Sequence, residues 1–156
     1  MLRIFPCNWY VSKFDPSVDQ NCAICEGLTD NIPHYFYDCD LCREFWNEIE
    51  QWIGHIFNIG NVDMYIKRKN AILGLLPNVE FNQSIEDKYT INFIIVYAKW
   101  FIYIKKKNLA RILQLSEFVN VLKTKLHLNY IVAKHQRNNL YLTRMSKLVS
   151  IFELDS

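Results

Sequence analysis

Apolar side chains recur at helical spacing along most of the chain. Leu41, Cys42, Phe45, Trp46, Ile49, Trp52, Ile53, Ile56 and Phe57 fall within one arc of about 160° at 100° per residue. Arg43, Glu44, Asn47, Glu48, Glu50, Gln51 and His55 fill the rest. The pattern predicts an amphipathic helix with Asp40 as N-cap, running to about Phe57 and closed by Asn58-Ile-Gly-Asn61 with Gly60 near the C′ position. A second helix is expected over about 85–107, opened by Ser84 and Asp87 in a capping box with Asp in place of Glu. Its middle, Ile91 to Ile104, is apolar apart from Asn92 and Lys99, so it belongs at the centre of a bundle. That run falls short of the roughly 20 residues a membrane span needs. Ser116 would cap a third helix through Phe118, Val119, Leu122 and Leu126, and a last helix or broken pair covers about Asn129 to Phe152. Between these, Ala71 to Leu76 reads as a short helix or turn stopped by Pro77-Asn78. Residues 1–14 read equally as a helical entry or an irregular strap, and Asp15-Pro16-Ser17 marks a turn. The expected fold is all-α, a predominantly helical bundle with a small N-terminal metal knuckle. Residues 1–57 carry the knuckle and its docking helix, and 58–156 form a basic helical region.

Composition supports a folded core: 51% of residues are apolar and 15% aromatic. The start, Met1-Leu-Arg-Ile-Phe-Pro6, lacks the basic and long apolar segments of a secretory leader. Five cysteines, an odd number, then suit a reducing compartment and metal binding better than disulfides, so a cytoplasmic or nuclear location is expected. Charge is unevenly placed. Residues 1–98 hold seven Lys/Arg against thirteen Asp/Glu, residues 99–147 eleven against Glu117 alone, and the last nine residues contribute two acids, which together give the net +2. The first part is a poor electrostatic partner for phosphate and the second a good one.

The chemistry is concentrated in Cys22-Ala-Ile-Cys25 and His34-Tyr-Phe-Tyr-Asp-Cys39, a C-x2-C-x8-H-x4-C array. Three cysteines and one histidine make a common tetrahedral zinc set, and two pairs closing from opposite sides suit one structural ion. Cys42 offers a competing fourth ligand through Cys39-x-x-Cys42, but it lies mid-way across the apolar arc of its helix and is better placed to pack. Cys22, Cys25, His34 and Cys39 are therefore the expected ligands of one structural Zn²⁺. Such sites contribute roughly 10–16 kcal/mol of apparent binding free energy in peptides, and four protein ligands leave no open position for hydrolytic chemistry. Tyr35 and Phe36 could stack on bases, although a His-x-Phe beside an amphipathic helix favours Phe36 as a plug against Trp46.

The basic half supplies the second candidate. Lys105, Lys106 and Lys107 end a helix, where cations suit the dipole. On a final helix, Lys134, Arg137, Tyr141, Arg144 and Lys147 would share one side, opposite Leu128, Ile131, Val132, Leu142, Met145, Val149 and Phe152. A face of Lys, Arg and Tyr fits a phosphate backbone with an unpaired base to stack, and Lys123 and Lys125 extend it. Enzymatic motifs are absent: there is no Tyr-x-Asp-Asp, Gly-rich phosphate loop, His-Glu-x-x-His or Gly-x-Ser-x-Gly. His55, His127 and His135 are scattered, and neither a small-molecule substrate nor a membrane is expected.

The knuckle, with Phe36 and Trp46 and the preceding Ile4-Phe-Pro-Cys-Asn-Trp-Tyr-Val-Ser-Lys-Phe14, resembles the reverse-transcriptase zinc-binding region of non-LTR, LINE-type retrotransposon proteins. Cys22, Cys25, His34, Phe36, Cys39 and Trp46 each match that pattern. Ala71-Ile-Leu-Gly-Leu75, Ala98-Lys-Trp-Phe-Ile102 and the Lys-rich end resemble the tail of such proteins. The chain departs in the loop before the histidine, where Gly27-Leu-Thr-Asp-Asn-Ile-Pro33 replaces the usual Glu-Thr. The resemblance implies a non-catalytic segment that holds RNA, or an RNA–DNA hybrid, near a polymerase encoded upstream of Met1. A zinc-stapled protein-interaction module, or a decayed fragment without activity, are the alternatives.

Overall fold

The computed structural model describes residues 7–25, 28–58, 66, 68–74, 84–108 and 112–154. Among these residues six α-helices occur in order: α1 (Asn8–Val11), α2 (Asp40–Ile56), α3 (Arg68–Leu73), α4 (Ile85–Lys107), α5 (Leu115–His135) and α6 (Asn139–Ile151). A π turn, His34–Asp38, stands between α1 and α2. The described residues contain no strand, and one isolated bridge pairs Asn21 with Thr29. None of their helices is long and apolar enough to cross a membrane. The all-α expectation therefore holds.

Helix α2 follows its predicted stripe, burying Cys42, Phe45, Trp46, Ile49 and Ile53. Its N-cap is Cys39 and Asp40 is its first helical residue, so the cap sits one position earlier than the sequence suggests. The predicted stop at Gly60 lies outside the described residues, as do Pro77 and Asn78. Asn58 already takes a left-handed φ of 49°, a role its short polar side chain tolerates.

Helix α4 is the central element. Ser84 caps it as expected, accepting from the Asp87 N–H at 3.0 Å. Phe101 of α4, Phe45 of α2 and Phe118 of α5 form a triangle of rings with centroids 5.5, 5.5 and 5.6 Å apart. Buried phenylalanines contribute about 1.5–3 kcal/mol each by area alone, so this triangle ties the knuckle's docking helix to the basic half. Trp52 stacks on Phe152 at 6.4 Å, and the Thr90 hydroxyl donates to the Arg144 carbonyl at 2.8 Å, which seats α6 against α2 and α4.

The two polar residues inside the apolar run of α4 both face α3. Lys99 donates to the Ile72 carbonyl at 3.0 Å, closing the C-terminal end of α3. Gly74 ends α3 at φ 84°, and a Cβ there would come within 3.0 Å of the Asn92 amide oxygen.

The C-terminal helices differ from expectation. Helix α5 starts at Leu115 with Gln114 at its N-cap, so Ser116 is inside the first turn. It then runs through to His135 with Phe118, Leu122, Leu126, Tyr130 and Ala133 buried. That register turns Leu128, Ile131 and Val132 outward, with about half of each exposed, where the sequence pattern predicts a buried side. The chain breaks at Gln136–Asn138, where Arg137 has φ 54° and the Asn138 side chain accepts from the Tyr141 N–H at 3.1 Å to start α6. Two helices therefore replace one continuous amphipathic face.

Candidate metal centre

The knuckle begins as a loop folded back on itself. Cys22 N–H donates to the Leu28 carbonyl at 2.8 Å, and Asp30 N–H to the Gln20 carbonyl at 2.9 Å. This brings Cys22 and Cys25 against the π turn. Helix α1 straps the loop from outside: the Asn8 N–H donates to Asp30 Oδ2 at 3.1 Å, and the Asn8 side chain to the Asn21 carbonyl at 3.1 Å. Of the two readings of the N-terminal stretch, residues 8–11 form a short helix serving as a strap, while residues 1–6 lie outside the described residues.

The π turn makes the site. Five residues separate His34 from Cys39, and at 100° per residue an α-helix would turn their side chains roughly 140° apart. Widening the turn to an i→i+5 bond, Cys39 N–H to the His34 carbonyl at 3.1 Å, brings both onto one side. Asn31 holds the entry, its side-chain oxygen accepting from the His34 N–H at 2.9 Å.

Ligand atoms of Cys22, Cys25, His34 and Cys39 all lie within 4.8 Å of one another. Cys22, His34 and Cys39 are buried and Cys25 is half-buried. The Cys25 and Cys39 sulfurs are 3.2 Å apart, against about 3.8 Å for the edge of a tetrahedron with metal–sulfur bonds of about 2.3 Å. A small side-chain rotation closes that difference. His34 Nε2 is enclosed and has no hydrogen-bond partner, although the residue is only 5% exposed. An unpaired buried nitrogen costs about 1–3 kcal/mol, and coordination to an ion would satisfy it. The four residues can hold a metal ion.

Cys42 is outside this group. Its thiol donates to the Tyr35 carbonyl at 3.3 Å, and it is fully buried in the helix interface as the apolar arc requires. The neighbouring Cys39 sulfur, together with burial, holds its proton far above the usual thiol range. Cys39 shows the converse. The adjoining Cys42 thiol, the charge of Lys106 and a hydrogen bond from Cys25 overcome burial and pull its pKa down to about 4. Cys25, desolvated and beside Cys39, is pushed up to about 12. Within the set the environment thus favours the thiolate most at Cys39.

Carbonyls of the π turn are taken up by the helices packed on it. The Trp46 indole donates to the Phe36 carbonyl at 2.6 Å, and Lys106 Nζ donates to the Tyr35 carbonyl at 2.7 Å while lying 4.5 Å from the Tyr35 ring centroid. Tyr35 and Phe36 are buried in this contact, which places them in the core and away from any base. Phe36 is thus a core residue, and its main-chain carbonyl meets the Trp46 indole.

Lys106 departs furthest from expectation. The sequence groups it with a phosphate-binding triplet, yet it is only 7% exposed. Desolvation lowers its pKa, but the facing Cys42, Cys39, Cys22 and Asp30 outweigh this and the net shift is upward. Asp30, also buried, is raised by desolvation against the opposing pull of the Asn8 N–H and Lys106.

The remaining cations are dispersed. Lys105 forms an ion pair with Glu117, and Lys147 pairs with Asp87 at 3.2 Å and lies 4.3 Å from the Phe57 ring. Arg144 lies 3.5 Å from the Tyr89 ring, Lys125 5.5 Å from the Trp100 ring, and Lys134 4.5 Å from the Tyr130 ring. Tyr141 is half-buried with its hydroxyl enclosed. Lys107, Lys123, Lys134 and Arg137 are exposed. Lys134, Arg137, Tyr141, Arg144 and Lys147 do not lie on one helix, because the break at Gln136–Asn138 distributes them over α5, a turn and α6.

No family model, curated protein or solved structure matches this chain. What the centre can do is therefore argued from its own donors. Three sulfurs and an imidazole, shut in by α1, α2 and α4, offer an ion four protein bonds. A fully occupied tetrahedron of this kind fixes structure and leaves no place for a bound water.

Proposed function

We propose that the chain is a zinc-stapled, non-catalytic module that binds RNA or an RNA–DNA hybrid, in the manner implied by its resemblance to the C-terminal segment of LINE-type reverse transcriptases. Zinc is the ion that three thiolates and an imidazole suit, and borrowed ligands replace the core that a loop of this length cannot build. A polymerase domain upstream would supply the chemistry, because the knuckle has no open coordination position.

The observation that supports nucleic acid most directly is the excess of basic over acidic residues between positions 99 and 147. Glu117 is the one acid between residues 99 and 147, and it is committed to Lys105. Lys107, Lys123 and Arg137 stand exposed in a segment that carries eleven Lys/Arg and one acid. Cations of this kind, at the end of α4, on α5 and in the turn after it, meet a phosphate backbone without reading sequence.

Fluorescence anisotropy of a labelled single-stranded RNA, at low and moderate salt with zinc present, tests the reading. Binding should weaken steeply with salt, by about 0.7 in log–log slope per phosphate contacted. A variant carrying Lys107→Glu, Lys123→Glu, Lys134→Glu and Arg137→Glu should lose most of it. Absence of binding by the unaltered protein at low salt would remove the proposal. A second reading, docking of a protein partner, draws on the exposed Leu128, Ile131, Val132 and Leu140, and sedimentation showing a stable homodimer indifferent to RNA would favour it.

A further inference from the structure

Helix α4 is apolar nearly all round, and a row of aromatic side chains along it stays partly open to solvent. Its inner side carries Ile91, Ile94, Ile95, Ala98, Phe101 and Ile102 into the core. On the outer side, Tyr89, Phe93, Tyr97 and Trp100 succeed one another at steps of four, four and three residues. At 100° per residue they lie within about 80° of each other, and at 1.5 Å per residue they span about 16 Å. Tyr89 and Trp100, at the two ends, are 44% and 42% exposed. Between them Phe93 and Tyr97 are half-buried, their ring centroids 4.6 Å apart.

Each end of this row carries a cation. Arg144 of α6 lies 3.5 Å from the Tyr89 ring centroid, and Lys125 of α5 lies 5.5 Å from that of Trp100. The row thus carries a cation at each end on a helix held by α5 and α6, while its two middle rings, tilted 51° to each other, pack against the core and the Tyr97 hydroxyl accepts from the Asn129 amide at 3.3 Å. Beyond Trp100 the surface dips into a cleft of about 260 Å³ whose walls include Lys99 and Tyr103.

We infer that this outer face of α4 is a stacking platform for single-stranded nucleic acid. The inference rests on the nucleic-acid reading above and assigns that reading a place on the molecule. Charge complementarity selects the occupant. A single strand brings both parts the face asks for, π faces for the rings and phosphates for the cations at either end. An arginine already stacked on a tyrosine offers its other face to a base, which extends the stack by one layer. A second copy of the chain would bring the same cations against these, and an apolar peptide would leave them without a counter-charge. Ring steps of about 4.5–6 Å along α4 exceed the roughly 3.4 Å between stacked bases in a duplex strand. The bound strand would therefore be drawn out, as unpaired nucleic acid can be and a duplex cannot.

A single-stranded RNA of about 12 nucleotides, within the range of site sizes such grooves take, serves as probe for the full chain loaded with zinc. The double variant Tyr89→Ala, Trp100→Ala removes only exposed rings. Unchanged zinc content and unchanged helical circular dichroism would establish that it folds. Its affinity should fall by about tenfold or more, while the salt dependence of binding stays that of the unaltered protein, because no charge has been removed. Trp100→Phe with Tyr89→Phe should restore most of the loss. If the unaltered protein binds and the ring-less variant binds equally well, the platform is wrong and the nucleic-acid reading stands. If the unaltered protein fails to bind at low salt, both fall together. If the double variant instead abolishes self-association that RNA does not affect, the face belongs to a second copy and the inference is overturned.

Discussion

Lys106 shows how one side chain can decide what a cluster of ligands is worth. Three thiolates on one Zn²⁺ would leave a net charge of −1, enclosed by protein, with the buried Asp30 close enough to raise it further. Lys106 is the cation set against that charge, and its bond to the Tyr35 carbonyl fixes it there. Replacing it with Met keeps the length and removes the charge. We expect Lys106→Met to weaken zinc binding at least tenfold in chelator competition and to cost about 3 kcal/mol or more in stability, as breaking a buried charge pair does. Lys106→Arg should recover part of both, and equal zinc affinity in all three proteins would show that the charge is irrelevant. Cys39 carries a pH signature in the metal-free protein. Its pKa of about 4 lies below that of an unfolded thiol, about 8.5, so the stability it contributes is present above the unfolded value and is lost as pH falls towards 4. In urea titrations without metal, the stability gap between the unaltered protein and Cys39→Ser should shrink from pH 8.5 to pH 5. A gap that widens would contradict the assignment of Cys39 as the favoured thiolate.

At the scale of elements, what the sequence makes legible is periodicity, and what it hides are the exceptions to it. Helices α2 and α4 come directly from their stripes and from Ser84. The fate of Lys106 is legible too: it continues Ala98 and Ile102 at i+4 spacing on the buried side of α4, but the run Lys105-Lys-Lys107 masks that position as one solvated end. Asn92, Lys99 and Lys106 in fact recur every seven residues along the side of α4 that meets α3 and the π turn. The π turn has no such signal. A five-residue separation of ligands fits an α-helix poorly, and only the closed ring of donors shows why the backbone widens there. The break before α6 is hard to read because neither Gly nor Pro marks it. Asn138 caps the new helix, and Arg137 adopts a left-handed conformation that a residue with a Cβ enters at a cost of about 1–2 kcal/mol. Arg137→Gly should therefore raise stability by up to about 1 kcal/mol in chemical denaturation, because glycine gives back part of that gain as unfolded-state entropy. A loss of stability would mean the Arg137 side chain contributes more than its backbone costs.

For the whole molecule, the arrangement is a chain of dependence running outward from the knuckle. Ligands set the π turn, the turn's carbonyls engage Trp46 and Lys106, and those residues register α2 and α4 against each other around the Phe45, Phe101 and Phe118 rings. The outer face of α4 and the cations of α5 are presented by that core. On this view metal does no chemistry, yet it orders the surfaces proposed to meet nucleic acid. The ligand set is readable from spacing alone because soft donors at such intervals have few other uses. The basic face is not, because charge on a helix is equally a sign of solvent, and only coordinates distinguish a cation held by an acid or a ring from one left facing water.

The centre itself can be measured without any assumption about function. X-ray absorption at the zinc edge, on protein purified with one equivalent of metal, reports the atoms bound to it. A Cys₃His centre gives a shell of three sulfurs at about 2.3 Å and one nitrogen at about 2.0 Å, with the nitrogen lost in His34→Ala and the shell unchanged in Cys42→Ser. A shell of four sulfurs that loses one in Cys42→Ser, or a protein that holds no zinc, would contradict it.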